Sequence, residues 1–150
     1  IMTNQSQIKR LRDETGAGFS HIRAALEESA GDTSRAKKIL QKKGAEIAAK
    51  KESRATKAGL VEAYVHHGAT IGVLMELRCE TDFVARSPLF KKFAHDIAMH
   101  IAATNPHDLL SLTNELFIKD ESATIGEMIA ARTASFGERV EITRFIRYAL

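Results

Sequence analysis

Cys79 and the adjacent histidines His66 and His67 are the residues of this sequence that could supply a nucleophile and its base. A thiol becomes an effective nucleophile when a nearby imidazole takes its proton. Cys79, however, follows Met75 and Leu77 at alternate positions of a strand-like run, so the three side chains fall on one face. This pattern favours a small buried thiol in the core over a catalytic one.

Glu80 and Asp82 stand at alternate positions and could resemble an acid/base pair. A catalytic site built on them would need a glycine-rich cradle or a histidine close by, and the sequence offers neither there. The two common phosphate-binding motifs, GxxxxGK[ST] and GxGxxG, do not occur. We therefore expect no catalytic residue, no enzyme activity and no nucleotide pocket in this chain.

Two pairs of histidines could bind a metal: His66 with His67, and His95 with His100. Neither pair has the spacing that places two imidazoles neatly on one face of a helix. We expect these histidines to be solvated or partly buried, and the chain to hold no metal and no cofactor.

Three short helices are predicted for residues 3–44, and they form a small N-terminal module. Gly16 is placed to end the first helix, and Ser20 to cap the second. The pair Gly31-Asp32 separates the second helix from the third, which the pattern ends at Gly44. Such a bundle buries little apolar area, so it is a module and not a full domain.

Residues 45–58 are rich in alanine and charge, which predicts a solvated connecting helix. Six basic residues in and before this segment form a patch: Lys42, Lys43, Lys50, Lys51, Arg54 and Lys57. An RNA- or ribosome-binding module that contacts phosphates through this patch is the alternative function. Glu46 and Glu52 interrupt the positive field and no aromatic residue is interleaved for base stacking, so a solvated helix face is favoured.

The remaining residues, 59–150, predict an α+β core domain in which three antiparallel strands pack with helices. Two strands flank a hairpin loop at residues 67–70, since apolar residues alternate on both sides of it. A helix begins at Ser87-Pro88 and another ends at Gly137. The last strand carries alternating apolar residues up to Tyr148. A sheet of three strands has exposed edges and one uncovered face, which favours pairing of two chains.

The bulk composition is typical of a soluble globular protein, with 44% hydrophobic and 27% charged residues. A balance of 22 basic against 19 acidic residues gives a net charge of +3. This charge is too weak to indicate nucleic acid by itself, and we expect no DNA partner. No apolar run approaches the roughly 20 residues of a membrane span. A single cysteine fits a reducing, intracellular compartment.

Phe83 and the adjacent Asp82 lie on the short connection between the strand that ends near Cys79 and the helix that begins at Ser87. Surface connections mounted on rigid elements often carry function. An aromatic ring presented with a carboxylate suits insertion into a crevice of a partner protein. The ring could equally fold back and cap the core, and periodicity alone leaves both interpretations open.

Three stretches carry a resemblance to a known family: Thr15 to Gly18 with Ala24-Ala25-Leu26 and Gly31-Asp32; Cys79 to Ala85; and Gly137-Glu138-Arg139 with Arg144-Phe145. They resemble, in this order, the ubiquitin-associated-like module, the signature turn and the closing strand of elongation factor Ts. That family comprises the guanine-nucleotide exchange factors of elongation factor Tu. The similarity spans nearly the whole chain.

The resemblance implies that the N-terminal module docks on the nucleotide-binding domain of elongation factor Tu. The turn at Asp82 and Phe83 would insert between helices of that domain, near its magnesium and phosphate site, and promote GDP release. The residues implied in partner binding are Thr81, Asp82, Phe83, Val84, Arg12, Gly18, Phe19 and Lys51. The chain would bind the GDP-bound and nucleotide-free partner without touching the nucleotide.

Long members of the family carry a second half-core and a coiled coil between the segments that match Ala103 and Phe117. Here a short connection with Leu109, Leu110 and Leu112 takes their place. This resembles the compact forms, in which two chains pair through their sheets, so a homodimer is expected. The expected location is the bacterial cytoplasm, or an organellar matrix or stroma if a transit peptide has been removed.

Overall fold

The computed structural model describes residues 4–150, so Thr3, where the predicted N-terminal module begins, lies outside the described residues. Packing divides the chain into two compact units. The first takes the described residues up to Ser53 together with Glu127–Gly137, and the second takes Arg54–Gly126 and Glu138–Leu150. The elements are α1 (Gln5–Thr15), α2 (Phe19–Glu28), α3 (Thr33–Lys51), β1 (Ala58–Val65), β2 (Ile71–Cys79), α4 (Asp82–Ala85), α5 (Pro88–Thr104), α6 (Leu109–Asn114), β3 (Leu116–Phe117), β4 (Asp120–Thr124), α7 (Ile125–Phe136) and β5 (Glu141–Ala149).

The predicted α+β class, with N-terminal helices ahead of a small antiparallel sheet, is confirmed. In the first unit, the Asn4 side chain caps α1 and the Asp32 side chain caps α3 by accepting backbone N–H bonds. The three helices bury one apolar stripe each and close a core made of Ile8, Leu11, Ile22, Ala25, Leu26, Ala36 and Leu40. Ser20 does not cap the second helix, contrary to the prediction from the sequence, because α2 begins at Phe19 and its N-cap residue is Gly18, which makes no side-chain bond.

The third helix does not end at Gly44, where the sequence pattern ended it. α3 is continuous to Lys51, and the predicted connecting helix is its C-terminal part. Gly44 is buried, and a Cβ there would come within 3.6 Å of the Ala131 backbone in α7. Glycine weakens a helix by roughly 1 kcal/mol without stopping it, and here it permits close helix packing. The division into domains 3–44, 45–58 and 59–150 stays a prediction.

The second unit is built on an antiparallel sheet of order β1-β2-β5. Helix α5 covers one face, and its buried stripe contains Phe90, Phe93, Ile97 and Ile101, as the sequence predicts. Ser87 caps this helix, Pro88 occupies its first turn, and Asn105 ends it in the left-handed conformation. The facing residues of β2 include Met75 and Leu77, which are 1% and 0% exposed.

The opposite face of the sheet is open, and the apolar alternation of β1 lies on it. Val61 and Val65 are 65% and 66% exposed, while Glu62 and Tyr64 lie on the half-buried side. In β5 the ladder shifts register between the partners of Glu76 and Leu77, so the strand bulges after Ile142. Ile142 is therefore buried, whereas Ile146 and Tyr148 farther along the strand are exposed.

A short helix and a two-stranded hairpin were missed in the connection that follows α5. Helix α6 begins with a capping box in which Asp108 and Ser111 exchange hydrogen bonds, and β3 and β4 form a short hairpin. Buried His100 ties this region to α5, because its Nε2 lies 2.8 Å from a Glu115 oxygen and its Nδ1 accepts from the Ile118 N–H at 3.3 Å. Within residues 4–150, no helix combines the length and apolar composition needed to cross a bilayer.

Candidate functional site

Phe83 is 88% exposed, at the start of the one-turn helix α4. Asp82 is exposed beside it, while Val84 and Ala85, 6% and 4% exposed, face the core. The sequence left open whether Phe83 caps the core or projects from the surface, and the structure shows that it projects. Burying an aromatic ring is favourable, so a ring held in water at this position is suited to a partner's pocket.

The turn that carries Phe83 is held by hydrogen bonds on its inner side. The Thr81 side chain accepts the Val84 N–H at 3.4 Å, and the Thr81 carbonyl accepts the Ala85 N–H at 3.2 Å. The Cys79 thiol donates to the same carbonyl at 3.3 Å. A single helical turn has too few internal bonds to offset its own ordering entropy, so the conformation of α4 depends on this support.

Glu138, which precedes β5, accepts three hydrogen bonds from the turn. Its Oε1 accepts the N–H groups of Glu80 at 3.1 Å and Thr81 at 2.9 Å. Its Oε2 accepts the Thr81 hydroxyl at 2.7 Å. In return, Glu80 Oε1 accepts the Arg139 N–H at 2.7 Å. The carboxylate of each segment thus accepts backbone N–H groups of the other segment. We call this arrangement of Glu80 and Glu138 the carboxylate clamp.

Sequence reasoning did not place Glu80 and Glu138 in one site. Glu80 was considered as half of an acid/base pair with Asp82, and Glu138 entered only through the resemblance of the closing strand. In the structure the Glu80 side chain faces Arg139 and Arg54. The Nη1 atom of Arg54 lies 3.5 Å from Glu80 Oε1. One signal was available, because Glu80 directly follows β2 and Glu138 lies in the segment that leads into β5, and these two strands pair.

Cys79 is completely buried, as the sequence predicts. Burial raises the pKa of its thiol to about 11, and the nearby charge of Glu138 acts in the same direction. Nucleophilic cysteines need a lowered pKa to form thiolate at neutral pH. His66 and His67 are exposed in the hairpin connection. The described residues contain no group of three histidine, cysteine or acidic side chains that could hold a metal ion.

The other predicted contact residues belong to the first unit. Arg12 is exposed in the last turn of α1, and Gly18 is the exposed N-cap residue of α2. Phe19, the first residue of α2, is 56% exposed. Lys51 is the last residue of α3 and is partly buried. The first unit therefore presents an exposed aromatic residue of its own, at the N-terminus of α2.

The loop before Phe19 is shaped by local bonds. The Thr15 hydroxyl donates to the Leu11 carbonyl at 2.6 Å and accepts the Ala17 N–H at 3.2 Å. Gly16 has a φ of 68°, and a side chain there would also collide with the Arg132 guanidinium of α7. Gly18 has a φ of −68° and open space around it, so the fold itself does not require glycine at that position.

Comparison with known proteins identifies the family of this chain. The family model described as "Elongation factor TS" matches residues 14–110 and 80–150. This chain belongs to the elongation factor Ts family. It is therefore a translation elongation factor that serves protein biosynthesis as an exchange factor. The family resemblance that the sequence suggested is confirmed.

Relatives from three bacteria, each named elongation factor Ts, match nearly the whole chain. The protein of Rubrobacter xylanophilus is 37% identical over 195 residues, with all of both chains covered. The proteins of Solibacter usitatus and Desulfitobacterium hafniense are 33% and 36% identical, over 95% and 97% of this chain and 89% and 88% of their own.

Proposed function

We propose that this chain binds elongation factor Tu and accelerates its release of GDP by inserting the turn at Asp82 and Phe83 near the magnesium and phosphate site. The observation that carries the proposal is the 88% exposure of Phe83 on a turn whose base is fixed by the carboxylate clamp. The family supplies the partner and the reaction. The exposed ring supplies a means of acting on the partner.

In this mechanism Phe83 enters a crevice between helices of the partner and displaces them. Transferring a phenylalanine side chain from water into such a crevice yields about 1.5–3 kcal/mol. Asp82, at the N-terminus of α4, competes for hydrogen bonds that otherwise hold the magnesium and phosphate ligands in place. Thr81 and Val84 support the turn and do not themselves enter the crevice. Thr81 caps α4, and the buried Val84 anchors the turn in the core.

The chain needs no nucleotide pocket of its own for this reaction. If its binding lowers the partner's affinity for GDP, then GDP lowers the partner's affinity for this chain by the same factor. GDP and GTP thus compete with the chain without contacting it. The partner is bound in its GDP form at the start of the cycle and in its nucleotide-free form after release.

The first unit provides the anchoring contacts in this proposal. Phe19 and the adjacent Gly18 present an apolar ring and an unobstructed backbone at the N-terminus of α2. Arg12 and Lys51 add positive charge that would pair with acidic groups on the nucleotide-binding domain. These contacts hold the complex together while Phe83 acts on the nucleotide site.

We propose further that the chain acts as a homodimer. The open face of the sheet exposes apolar side chains from all three strands: Val61, Val65, Leu74, Ile146 and Tyr148. Cross-strand pairing brings Leu74 opposite Ile146. A contiguous apolar face of this kind is disfavoured in water and is suited to pairing with a second copy of itself. The expected location of the dimer is the bacterial cytoplasm.

The dimer is tested by sedimentation equilibrium of the wild-type chain and the variant Leu74→Glu. We expect the wild type to have twice the mass of one chain and the variant to have the mass of one chain, since a carboxylate would be buried at the centre of the apolar face. The surface variant Glu121→Gln is the control and should remain dimeric. A monomeric wild type at micromolar concentration contradicts this part of the proposal.

Exchange activity is tested by the release of fluorescently labelled GDP from purified elongation factor Tu in an excess of unlabelled GDP. We expect the rate of release to rise with the concentration of this chain until it reaches a plateau. A rate that stays at its spontaneous value contradicts the proposed function. In that event a strongly salt-dependent affinity for RNA would support the basic segment, residues 42–57, as the functional surface.

A further inference from the structure

We propose that Glu138 is a positioning residue for nucleotide exchange: its carboxylate holds the turn in the conformation that presents Phe83. The inference rests on the proposed function, because it concerns how the same turn is held. It adds a residue outside the turn, and distant from it in sequence, to the exchange machinery.

The last registered pair of β2 and β5 is Arg78 with Glu141. Beyond this pair the N–H groups of Glu80 and Thr81 have left the ladder, and both point at Glu138 Oε1, at 3.1 and 2.9 Å. A carboxylate that accepts backbone N–H groups forms charge-assisted bonds, which are about twice as strong as neutral ones. Glu138 thus supplies the bonds that a neighbouring strand would otherwise supply.

The Thr81 hydroxyl makes the contact specific to the Phe83 turn. Its oxygen lies 2.7 Å from Glu138 Oε2 and 3.4 Å from the Val84 nitrogen. Since the hydroxyl has one proton, donating it to Glu138 leaves the oxygen lone pairs free to accept the Val84 N–H. Glu138 therefore sets the direction of the N-cap bond that begins α4, and Phe83 is the second residue of that helix.

The reciprocal bond fixes Glu138 itself. Glu80 Oε1 accepts the N–H of Arg139 at 2.7 Å, and Arg139 in turn donates to the Arg54 carbonyl at 2.8 Å and to Glu141 at 2.8 Å. Glu138 lies between this anchored residue and Gly137, which has a φ of 70°. The backbone on the C-terminal side of Glu138 is therefore held by the bonds of Arg139 to Glu80, Arg54 and Glu141.

A merely structural role would tie the sheet end together without affecting Phe83. The two roles differ in what they predict for exchange at saturating concentration. If Glu138 holds the presenting conformation, its loss leaves only a fraction of complexes with Phe83 inserted, and the plateau rate falls by that fraction. If Glu138 serves stability alone, a folded variant has the wild-type plateau.

The experiment compares Glu138→Ala, Glu138→Gln and the control Glu121→Ala, which removes an exposed carboxylate from β4. We expect the plateau rate of GDP release to fall about tenfold in Glu138→Ala, as for a turn that is competent in one molecule of ten. Glu138→Gln retains one acceptor oxygen and should lose less. Glu121→Ala should match the wild type, and circular dichroism should show that all variants are folded.

A double-mutant cycle with Phe83→Ala provides the readout that a structural role would not move. In the Phe83→Ala background, Glu138→Ala should cause no further loss, because there is no ring to present. An equal further loss in that background overturns the proposal, as does a wild-type plateau in folded Glu138→Ala. If the wild-type chain itself fails to accelerate release, the proposed function fails instead.

Amide hydrogen exchange then tests the positioning claim independently of activity. Glu138→Ala should raise deuterium uptake in a peptide that spans residues 80–85, while Glu121→Ala should leave it unchanged. Unchanged uptake in Glu138→Ala overturns the positioning role.

Discussion

Phe83 and Phe19 are both exposed aromatic residues near the start of a helix, yet they are held in different ways. The Phe83 turn is fixed by bonds from Glu138, more than fifty residues away in sequence. The loop before Phe19 is fixed by the Thr15 hydroxyl and by a glycine at positive φ. Phe83 is 88% exposed and Phe19 is 56% exposed.

This difference indicates that the two aromatic residues have different roles in binding the partner. A ring that must displace structure in a partner has to be mounted on a support that resists the displacement, and the carboxylate clamp is such a support. A ring that only adds affinity can be carried by a locally folded loop. We therefore propose that Phe83 accelerates GDP release and that Phe19 provides affinity for the partner.

The largest effect is expected for Phe83→Ala. It should lower the rate of GDP release about 30-fold, the equivalent of roughly 2 kcal/mol of lost aromatic burial. Its free energy of unfolding should stay within about 0.5 kcal/mol of the wild type, because an exposed side chain contributes little to the core. Urea denaturation supplies the second value, and a large loss of stability would contradict the assignment.

Phe19→Ala should have a smaller effect and one of another kind. The concentration of chain that gives half-maximal acceleration should rise about tenfold, which corresponds to about 1.4 kcal/mol of lost contact. A titration of the GDP release rate against chain concentration gives this value. An unchanged half-maximal concentration would remove Phe19 from the docking surface.

Substitutions of Gly16 and Gly18, in the loop before Phe19, distinguish effects on stability from effects on partner binding. Gly16→Ala should destabilise the chain by roughly 1–2 kcal/mol, since alanine disfavours the left-handed conformation. Gly18→Ala should change the stability by less than about 0.5 kcal/mol, because its φ and the open space suit alanine but alanine is a poorer N-cap residue than glycine. If Gly18 is a contact residue, the same variant weakens partner binding. Thermal unfolding and titration measure the two effects separately.

Alkaline pH should lower the free energy of unfolding through Cys79, which bonds to the Phe83 turn. The pKa of the buried Cys79 thiol is raised to about 11 from an ordinary value of 9.0, so the unfolded chain loses this proton before the folded chain does. The contribution is complete below pH 9 and is lost as the pH rises towards 11. Urea denaturation between pH 8 and 11 should show a steeper loss of stability for the wild type than for Cys79→Ala. Equal slopes would contradict the raised pKa.

Regular periodicity made much of this fold predictable from the sequence. The helix that begins at Ser87-Pro88 and the hairpin of β1 and β2 occur where the sequence predicts them, because caps and alternation agree there. Gly44 misled the prediction because its close contact with Ala131 is not visible in a linear sequence.

The Phe83 turn was predicted as a surface feature, but its support was not. Periodicity could not decide between a buried and an exposed Phe83, since one helical turn has no period. The bonds from Glu138 join segments that become neighbours only when β2 and β5 pair. A local pattern carries no record of such a contact, so the sequence located the turn and missed the clamp behind it.

The central claim is tested most directly by the plateau rate of GDP release as chain concentration rises, measured for the wild type, Phe19→Ala and Phe83→Ala. We predict that Phe19→Ala reaches the wild-type plateau at higher concentration, because it loses affinity alone. Phe83→Ala should level off far below that plateau at every concentration. A Phe83→Ala chain that reaches the wild-type plateau would contradict the account, because acceleration would then not depend on the exposed ring.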